Sequence, residues 1–293
     1  MTLTLLLTLL LSVLIGLSLG LLGGGGSILT VPILTYVAGM DPKEAIAASL
    51  FVVGITSAFS AITHARNHRV QWRTGLIFGG ASMAGAFVGG LLGGHIPGTV
   101  LMIGFAVMMV ATSVAMIRGR RNSKDSSDSA GERKIPVLKV LAEGIMVGLV
   151  TGLVGAGGGF LVVPALALLG GLPMPVAVGT SLVVIAMKSF AGLAGYLTTV
   201  SLDWVLVGSV TLAAIAGSVV GARLAGRIPE VALRKGFGIF VLVMGVVVLI
   251  QELPGVAGLL VGIAAAVGAV AAAVCWFAVP SCLLRTADAR AAG

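Results

Sequence analysis

Long apolar segments, separated by short polar ones, make up most of the chain. The segment from Leu3 to Leu22 contains no charged residue. A helix of that length is about 30 Å long, which is the thickness of the hydrocarbon core of a bilayer. Further apolar segments follow at 45–63, 74–93 and 99–117. The pattern therefore predicts an all-α polytopic membrane protein.

Composition and charge agree with this prediction. Hydrophobic residues make up 58% and charged residues 10% of the 293 positions, whereas a soluble domain carries roughly 25% charged residues. The formal net charge is +8, and much of it lies in two basic clusters, at 66–73 and 118–139. Basic residues typically mark the cytoplasmic ends of membrane helices. We therefore interpret the clusters as topology signals and expect no binding of nucleic acid.

Two features near the ends of the chain exclude other classes. The first 22 residues have no basic region and no small-residue cleavage site before a soluble domain, so a cleaved signal peptide is not expected. Cys275 and Cys282 lie seven residues apart in the last apolar segment. Two such cysteines predict neither a disulfide framework nor a zinc site.

Glycine-rich stretches interrupt the apolar pattern twice. The first is GLSLGLLGGGGSILTVP at 16–32, and the second is GLVTGLVGAGGGFLVVP at 148–164. A glycine run followed by proline cannot continue as an ordinary helix, because glycine weakens the helix and proline lacks the backbone donor. We therefore predict a broken helix at each stretch, at or within the membrane.

The two stretches belong to an internal repeat with a constant offset of 132 residues. Other pairs at this offset are Gly39 with Gly171, Ser49 with Ser181, Ser57 with Ser189, Trp72 with Trp204, and Gly85 with Gly217. This register divides the chain into two homologous transmembrane repeats, 1–117 and 137–251. A polar cytoplasmic linker at 118–136 joins them, and 254–284 is predicted to form an additional C-terminal transmembrane segment.

The distribution of charge favours inverted repeats. The loop at 66–73 carries three arginines, whereas the equivalent stretch at 198–203 has no basic residue, and Arg223 and Arg227 flank the next turn instead. Such an exchange is expected when each half crosses the membrane an odd number of times, here roughly five. If the glycine run merely kinks one long helix, each half has four crossings and the repeats are parallel.

The glycine runs are candidate anion sites. Amides that follow such a run lack intrahelical partners, a helix that begins there carries partial positive charge, and glycine allows an anion to approach the backbone. The predicted substrate-binding residues of the runs are Gly23, Gly24, Gly25, Gly26, Ser27, Gly155, Gly157, Gly158 and Gly159. Alternatively, glycines only allow close packing of helices. We favour that role for Gly16, Gly20, Gly85, Gly89, Gly217 and Gly221, which are spaced four apart.

Lys188 is the one charged residue well inside an apolar segment. Burying an ammonium costs about 2.5 kcal/mol or more, so such residues usually face a cavity. We predict that Lys188 contacts the substrate anion, although a lysine can also extend towards the interface. Five small hydroxyls, most of them at repeat-related positions, either donate to the anion or bond to their own helix: Ser49, Ser57, Thr180, Ser181 and Ser189. His64 and His68 are interpreted as solvated loop residues, with a proton-linked role as the alternative.

Motifs of catalysis are absent. The sequence contains no GxxxxGK[ST], HExxH, CxxC or GxSxG motif, and no pair of carboxylates within an apolar segment. We therefore expect no enzyme activity, no metal and no cofactor. The scarcity of carboxylates in the apolar segments also argues against a carrier of cations.

The motifs resemble those of the TauE/SafE sulfite exporter family. The similar elements are Gly-x-x-Gly-x-Gly-Gly-x5-Pro at 20–32 and 152–164, Ala-x-x-x-Ser-Leu at 45–50 and 177–182, His64-x-Arg66 with Val70-Gln-Trp72, and Leu202-Asp-Trp204. The resemblance covers about residues 5–250. It implies a permease of the bacterial inner membrane for sulfite, sulfonates or related anions. The halves differ at equivalent positions of the repeat, since Gln71 corresponds to Asp203 and Ser27 to Gly159.

These observations together predict a secondary transporter of a small sulfur-containing anion, coupled to protons or to the membrane potential. The substrate site is expected between the two glycine breaks, near the midplane of the bilayer. The alternatives are an anion channel, or a permease for another small anion. A third interpretation is a membrane-embedded enzyme or an assembly partner, and the missing catalytic motifs argue against it.

Overall fold

The structure is a computed structural model that describes residues 2–22, 25–118, 137–155, 159, 162, 166, 174–224 and 230–253. Most of the predicted linker, the predicted C-terminal segment at 254–284, and Gly23, Gly24, Gly157 and Gly158 lie outside the described residues. The division into repeats, linker and C-terminal segment therefore stays a prediction.

The described part of the chain is helical throughout and contains no strand, which confirms the predicted all-α class. The elements are α1 (Thr2–Leu22), a 3₁₀ helix (Gly25–Leu29), α2 (Thr30–Tyr36), α3 (Pro42–Arg66), α4 (Trp72–His95), α5 (Gly98–Arg118), α6 (Val137–Val154), α7 (Met174–Tyr196), α8 (Trp204–Leu224) and α9 (Glu230–Glu252). Four of these helices, α3, α4, α7 and α8, contain windows long and apolar enough to cross a membrane.

Polar residues set the ends of the helices. The carboxylate of Asp41 accepts a hydrogen bond of 2.9 Å from the amide of Lys43, and Pro42 occupies the first turn of α3, where its missing donor costs nothing. Asp203 caps α8 in the same way, at 3.0 Å from the amide of Val205. Both aspartates follow an interruption in the apolar pattern, as helix starts in a membrane protein should.

Glycines bring two pairs of helices into backbone contact. A Cβ atom on Gly85 of α4 would collide with the backbone of Ile145 and Leu149 of α6, and one on Gly217 of α8 would collide with Val13 and Leu17 of α1. Gly16, Gly89 and Gly221 make equivalent contacts. Small residues let membrane helices approach this closely, so the packing role predicted for these five glycines is confirmed.

Both glycine-packed pairs are parallel. Along α4 and α6 the contacts advance in the same direction, from Gly85 beside Ile145 to Gly89 beside Leu149. Along α1 and α8 they advance likewise, from Val13 beside Gly217 to Leu17 beside Gly221. Each pair joins a helix from one half of the sequence to a helix from the other half.

The α3–α4 and α7–α8 loops lie at opposite ends of the bundle. At the start of α4, the amide of Gln71 donates to Thr180 Oγ1 at 3.0 Å, near the beginning of α7. At the other end of α4, a Cβ atom on Gly94 would collide with Thr199, which follows α7. Helices α4 and α7 are therefore parallel, and the loops at 67–71 and 197–203 are separated by the length of a helix.

The main core surrounds α2 and the first half of α3. Val31, Leu34, Ala45 and Ala48 are essentially inaccessible, and side chains of α1, α5 and α9 pack around them. At the edge of this core the hydroxyl of Tyr36 donates to Glu252 at 2.9 Å, which ties the end of α2 to the end of α9. A smaller cluster forms around Phe78, between α4 and α7.

Candidate functional site

A lysine lies buried inside the bundle. Lys188 of α7 is 1% exposed, and its Nζ donates a hydrogen bond of 3.0 Å to Thr151 Oγ1 of α6. An ammonium has three donors, and within the described residues Thr151 supplies its one hydrogen-bond partner. No described carboxylate forms an ion pair with it. The arrangement leaves N–H groups of Lys188 available to a ligand.

The end of α6 explains how the ammonium is tolerated. Thr151 lies four residues before Gly155, in the last turn of α6. The C-terminal end of a helix carries partial negative charge, which favours a nearby cation. This field is weaker than a full carboxylate charge, so it stabilises Lys188 without neutralising it. Sequence reasoning singled out Lys188 but missed Thr151, because a threonine in an apolar helix commonly bonds to its own backbone, as Thr151 also does.

The second glycine run begins where α6 ends. Gly155 has a φ of 71°, which an L side chain rarely adopts, and a Cβ atom there would also meet Ile46 of α3. The hydroxyl of Ser49 donates to the carbonyl of Gly155, and the hydroxyl of Tyr196 donates to the carbonyl of Leu153. Side chains of α3 and α7 therefore satisfy carbonyls that α6 leaves open at its end.

Within the part of the chain that the structure describes, three buried serine hydroxyls lack a hydrogen-bond partner. They belong to Ser57, Ser82 and Ser189, each 0% exposed. Ser189 follows Lys188 directly and packs against Gly54 of α3, one turn before Ser57. A buried unsatisfied donor costs about 1–3 kcal/mol and calls for a ligand or a water. Sequence reasoning found Ser57 and Ser189 through the repeat but missed Ser82, which lies among small residues of α4.

The other predicted site residues lie elsewhere or are engaged. Thr180 accepts the hydrogen bond from Gln71, and Ser181 donates to the carbonyl of Val178 in its own helix at 2.7 Å. Thr180 is eight residues from Lys188, or about 12 Å along α7, so the structure does not bring these two residues together. Gly25 and Gly26 open the 3₁₀ helix, and Ser27 and Gly159 are buried.

The structure thus connects four of the predicted residues. The hydroxyl of Ser49 donates to the carbonyl of Gly155, which lies one turn after Thr151. Thr151 in turn accepts the hydrogen bond from Lys188, and Ser189 is the next residue in α7. This cluster joins α3, α6 and α7 at the beginning of the second glycine run. Among its described residues this cluster offers one buried cation and small hydroxyls, which suits a small anion, and no acid–base or nucleophilic pair.

Comparison with known proteins identifies the family. The model of the sulfite exporter TauE/SafE family matches residues 8–248. A probable membrane transporter protein of Xylella fastidiosa (strain 9a5c) is 32% identical over 232 residues, which cover 78% of this chain and 88% of that protein. The probable membrane transporter protein YdhB of Bacillus subtilis is 27% identical over 228 residues, covering 78% and 93%. No solved structure matches significantly. The chain, a multi-pass bacterial membrane protein, therefore belongs to the TauE/SafE sulfite exporter family of membrane transporters.

Proposed function

We propose that this chain is a secondary transporter of small sulfur-containing oxyanions, such as sulfite or organosulfonates, and that Lys188 binds the anion. One observation carries the proposal: the ammonium of Lys188 is buried in a helix long enough to span the membrane. Among the described residues its hydrogen-bond partner is a single neutral hydroxyl, that of Thr151. A sulfonate or sulfite oxygen would complete its coordination and neutralise its charge.

Unpartnered hydroxyls of α3, α4 and α7 fit the same ligand. The unpartnered hydroxyls of Ser57, Ser82 and Ser189 are donors of the kind that an oxyanion accepts. The amides of the two glycine runs, 23–27 and 155–159, are the proposed backbone donors. Ser49 acts in this proposal through the shape of the site, since its hydroxyl already has a partner. Thr180 and Ser181 lie about 10–12 Å from Lys188 along α7, with their hydroxyls engaged elsewhere, and are not part of this cluster.

We also propose that the two halves are inverted repeats with broken helices at their glycine runs. The positions of the equivalent loops 67–71 and 197–203 at opposite ends of the bundle support this, because parallel repeats would place them at the same end. The pairing of α1 with α8 and of α4 with α6 agrees with a two-fold relation between the halves, since the repeat relates α1 to α6 and α4 to α8. In inverted-repeat carriers the substrate site lies between the halves, and exposure alternates between the two sides.

Transport of purified protein in proteoliposomes tests the proposal. We expect saturable uptake of sulfite or of an organosulfonate, driven by a proton gradient or by the membrane potential, in a panel that also contains sulfate and thiosulfate. Conductance that does not saturate with substrate would favour the anion channel. If none of these sulfur anions moves while other small anions do, the substrate assignment is wrong.

A further inference from the structure

An apolar groove lies between α3, α7 and the first residue of α4. Its volume is about 470 Å³. Ala58 and Ala61 of α3 line it together with Ala186 and Met187 of α7, and Arg66 contributes the one charged side chain among its lining residues. The groove is separate from the Lys188 cluster, because Lys188 faces α6 rather than the groove.

The groove opens on an exposed, largely apolar surface of the bundle. Trp72 and Ile62, which line it, are 55% and 52% exposed, and the neighbouring Leu76 and Ile77 of α4 are exposed as well. These residues lie on helices that are long and apolar enough to span the membrane. In a bilayer such a surface is covered by acyl chains, and an unfilled groove would forfeit the contacts of its lining atoms.

Unpaired positive charge lies at one end of the groove. Arg66, the last residue of α3, lines it, while Arg69 lies in the α3–α4 loop and Arg73 in the first turn of α4. None of these arginines forms an ion pair with a carboxylate in the described part of the chain. Guanidinium groups bind phosphate in a bidentate manner, and basic sites at the cytoplasmic interface attract anionic headgroups. Trp72, at the same level, is of the type that anchors helices at the interface.

The dimensions of the groove match one leaflet. From Arg66 to Ala58 the groove follows eight residues of α3, or about 12 Å of helix. Half of the hydrocarbon core measures about 15 Å. A chain that enters at the level of the headgroups would therefore reach close to the middle of the bilayer, with its headgroup beside the arginines.

From these observations we infer that the groove binds an anionic phospholipid, with one acyl chain along α3 and α7 and the headgroup phosphate on Arg66, assisted by Arg69 and Arg73. The lipid would pack against α7 on the side away from the Lys188 cluster. Binding of this lipid does not depend on which substrate is transported, so the inference can be tested separately from the proposed function.

Native mass spectrometry of the full-length, delipidated protein tests the inference. The probes are phosphatidylglycerol and phosphatidylcholine with identical acyl chains, and glycerophosphoglycerol as a headgroup without chains. We expect one phosphatidylglycerol to bind at least tenfold more tightly than phosphatidylcholine. Arg66→Gln should remove most of this preference, whereas Arg223→Gln, an exposed arginine of α8, should leave it unchanged.

Variants that fill the groove test the position of the acyl chain. Ala61→Leu and Ala65→Leu add bulk inside it, and both should weaken binding of phosphatidylglycerol about tenfold; Ala84→Leu, on an exposed face of α4, should not. Equal binding of the two lipids would overturn the proposed headgroup contact. Tight binding of glycerophosphoglycerol, or full lipid binding by both groove-filling variants, would show a headgroup site without a chain and overturn the groove.

Discussion

Replacing Lys188 by methionine separates a binding role of its charge from a structural role. Methionine has a similar length and an apolar end, so Lys188→Met removes the ammonium and its bond to Thr151 with little change in packing. Relief of the insertion cost of a central lysine is worth about 2.5–3.5 kcal/mol. Loss of a hydrogen bond from a charged group costs about 1.5–3 kcal/mol. These two effects nearly cancel, so the variant should insert and stay folded.

The effect on transport should be much larger. A unit charge 4 Å from an anion contributes about 4 kcal/mol at an effective dielectric constant of about 20. Since each 1.4 kcal/mol is a factor of ten, the affinity for the anion should fall by roughly 10³. Thr151→Val leaves the charge in place and removes only one hydrogen-bond partner, so it should reduce kcat/KM by about tenfold.

The assay is uptake of the preferred sulfur anion into proteoliposomes, with kcat/KM normalised to the amount of inserted protein and thermal stability measured on the same samples. Arg223→Gln controls for the loss of one positive charge, because this residue is exposed. Wild-type kcat/KM in Lys188→Met would refute the reasoning and return the lysine to a structural role. Loss of transport accompanied by a large loss of thermal stability would also count against it.

Three further predictions follow from the packing and the loops. Gly217→Leu forces the backbones of α1 and α8 apart and should lower the free energy of unfolding by roughly 1–3 kcal/mol. Gly208→Leu is the control, because a side chain there meets open space. Equal thermal stability of the two variants in detergent would contradict the close packing. Ser49→Ala leaves the carbonyl at the glycine break unpaired and should destabilise the protein by about 1–3 kcal/mol, measured in the same way. Asn67→Cys and Ser201→Cys, each made in a cysteine-free variant, place a cysteine at an exposed position of each loop. The two should react with a membrane-impermeant reagent from opposite sides of the membrane, with Asn67→Cys protected in intact cells. Labelling of both from the same side would disprove inverted repeats.

The membrane class and several local features were predictable from the sequence. Apolar segments of bilayer length can hardly form anything but helices, since lipid offers no partner to an unpaired backbone. Glycines spaced four apart predicted close packing, and the structure supplied their partners. The lone charge in an apolar segment identified Lys188 as unusual before any geometry was known.

The partners of these features could not be predicted. All faces of a membrane helix are apolar, so hydropathy does not tell which helix packs on which, and nothing in the pattern paired α1 with α8. A hydroxyl in a helix has a default partner in its own backbone, so the sequence could not tell that Thr151 receives the lysine or that Ser49 reaches across to Gly155. Nor could the pattern show that the hydroxyl of Thr180 accepts from the amide of Gln71 in the α3–α4 loop.

The pairing of α1 with α8 also constrains how the protein is made. Val13 and Leu17 meet their glycine partners only when residues about 200 positions later have been synthesised, which takes roughly 10–40 s at about 5–20 residues per second. Until then the small-residue face of the first helix has no native partner in the membrane. Assembly of this transporter therefore cannot be completed half by half from the N-terminus, and a truncated chain that ends before α8 should leave one side of its first helix without its native partner and open to quality control.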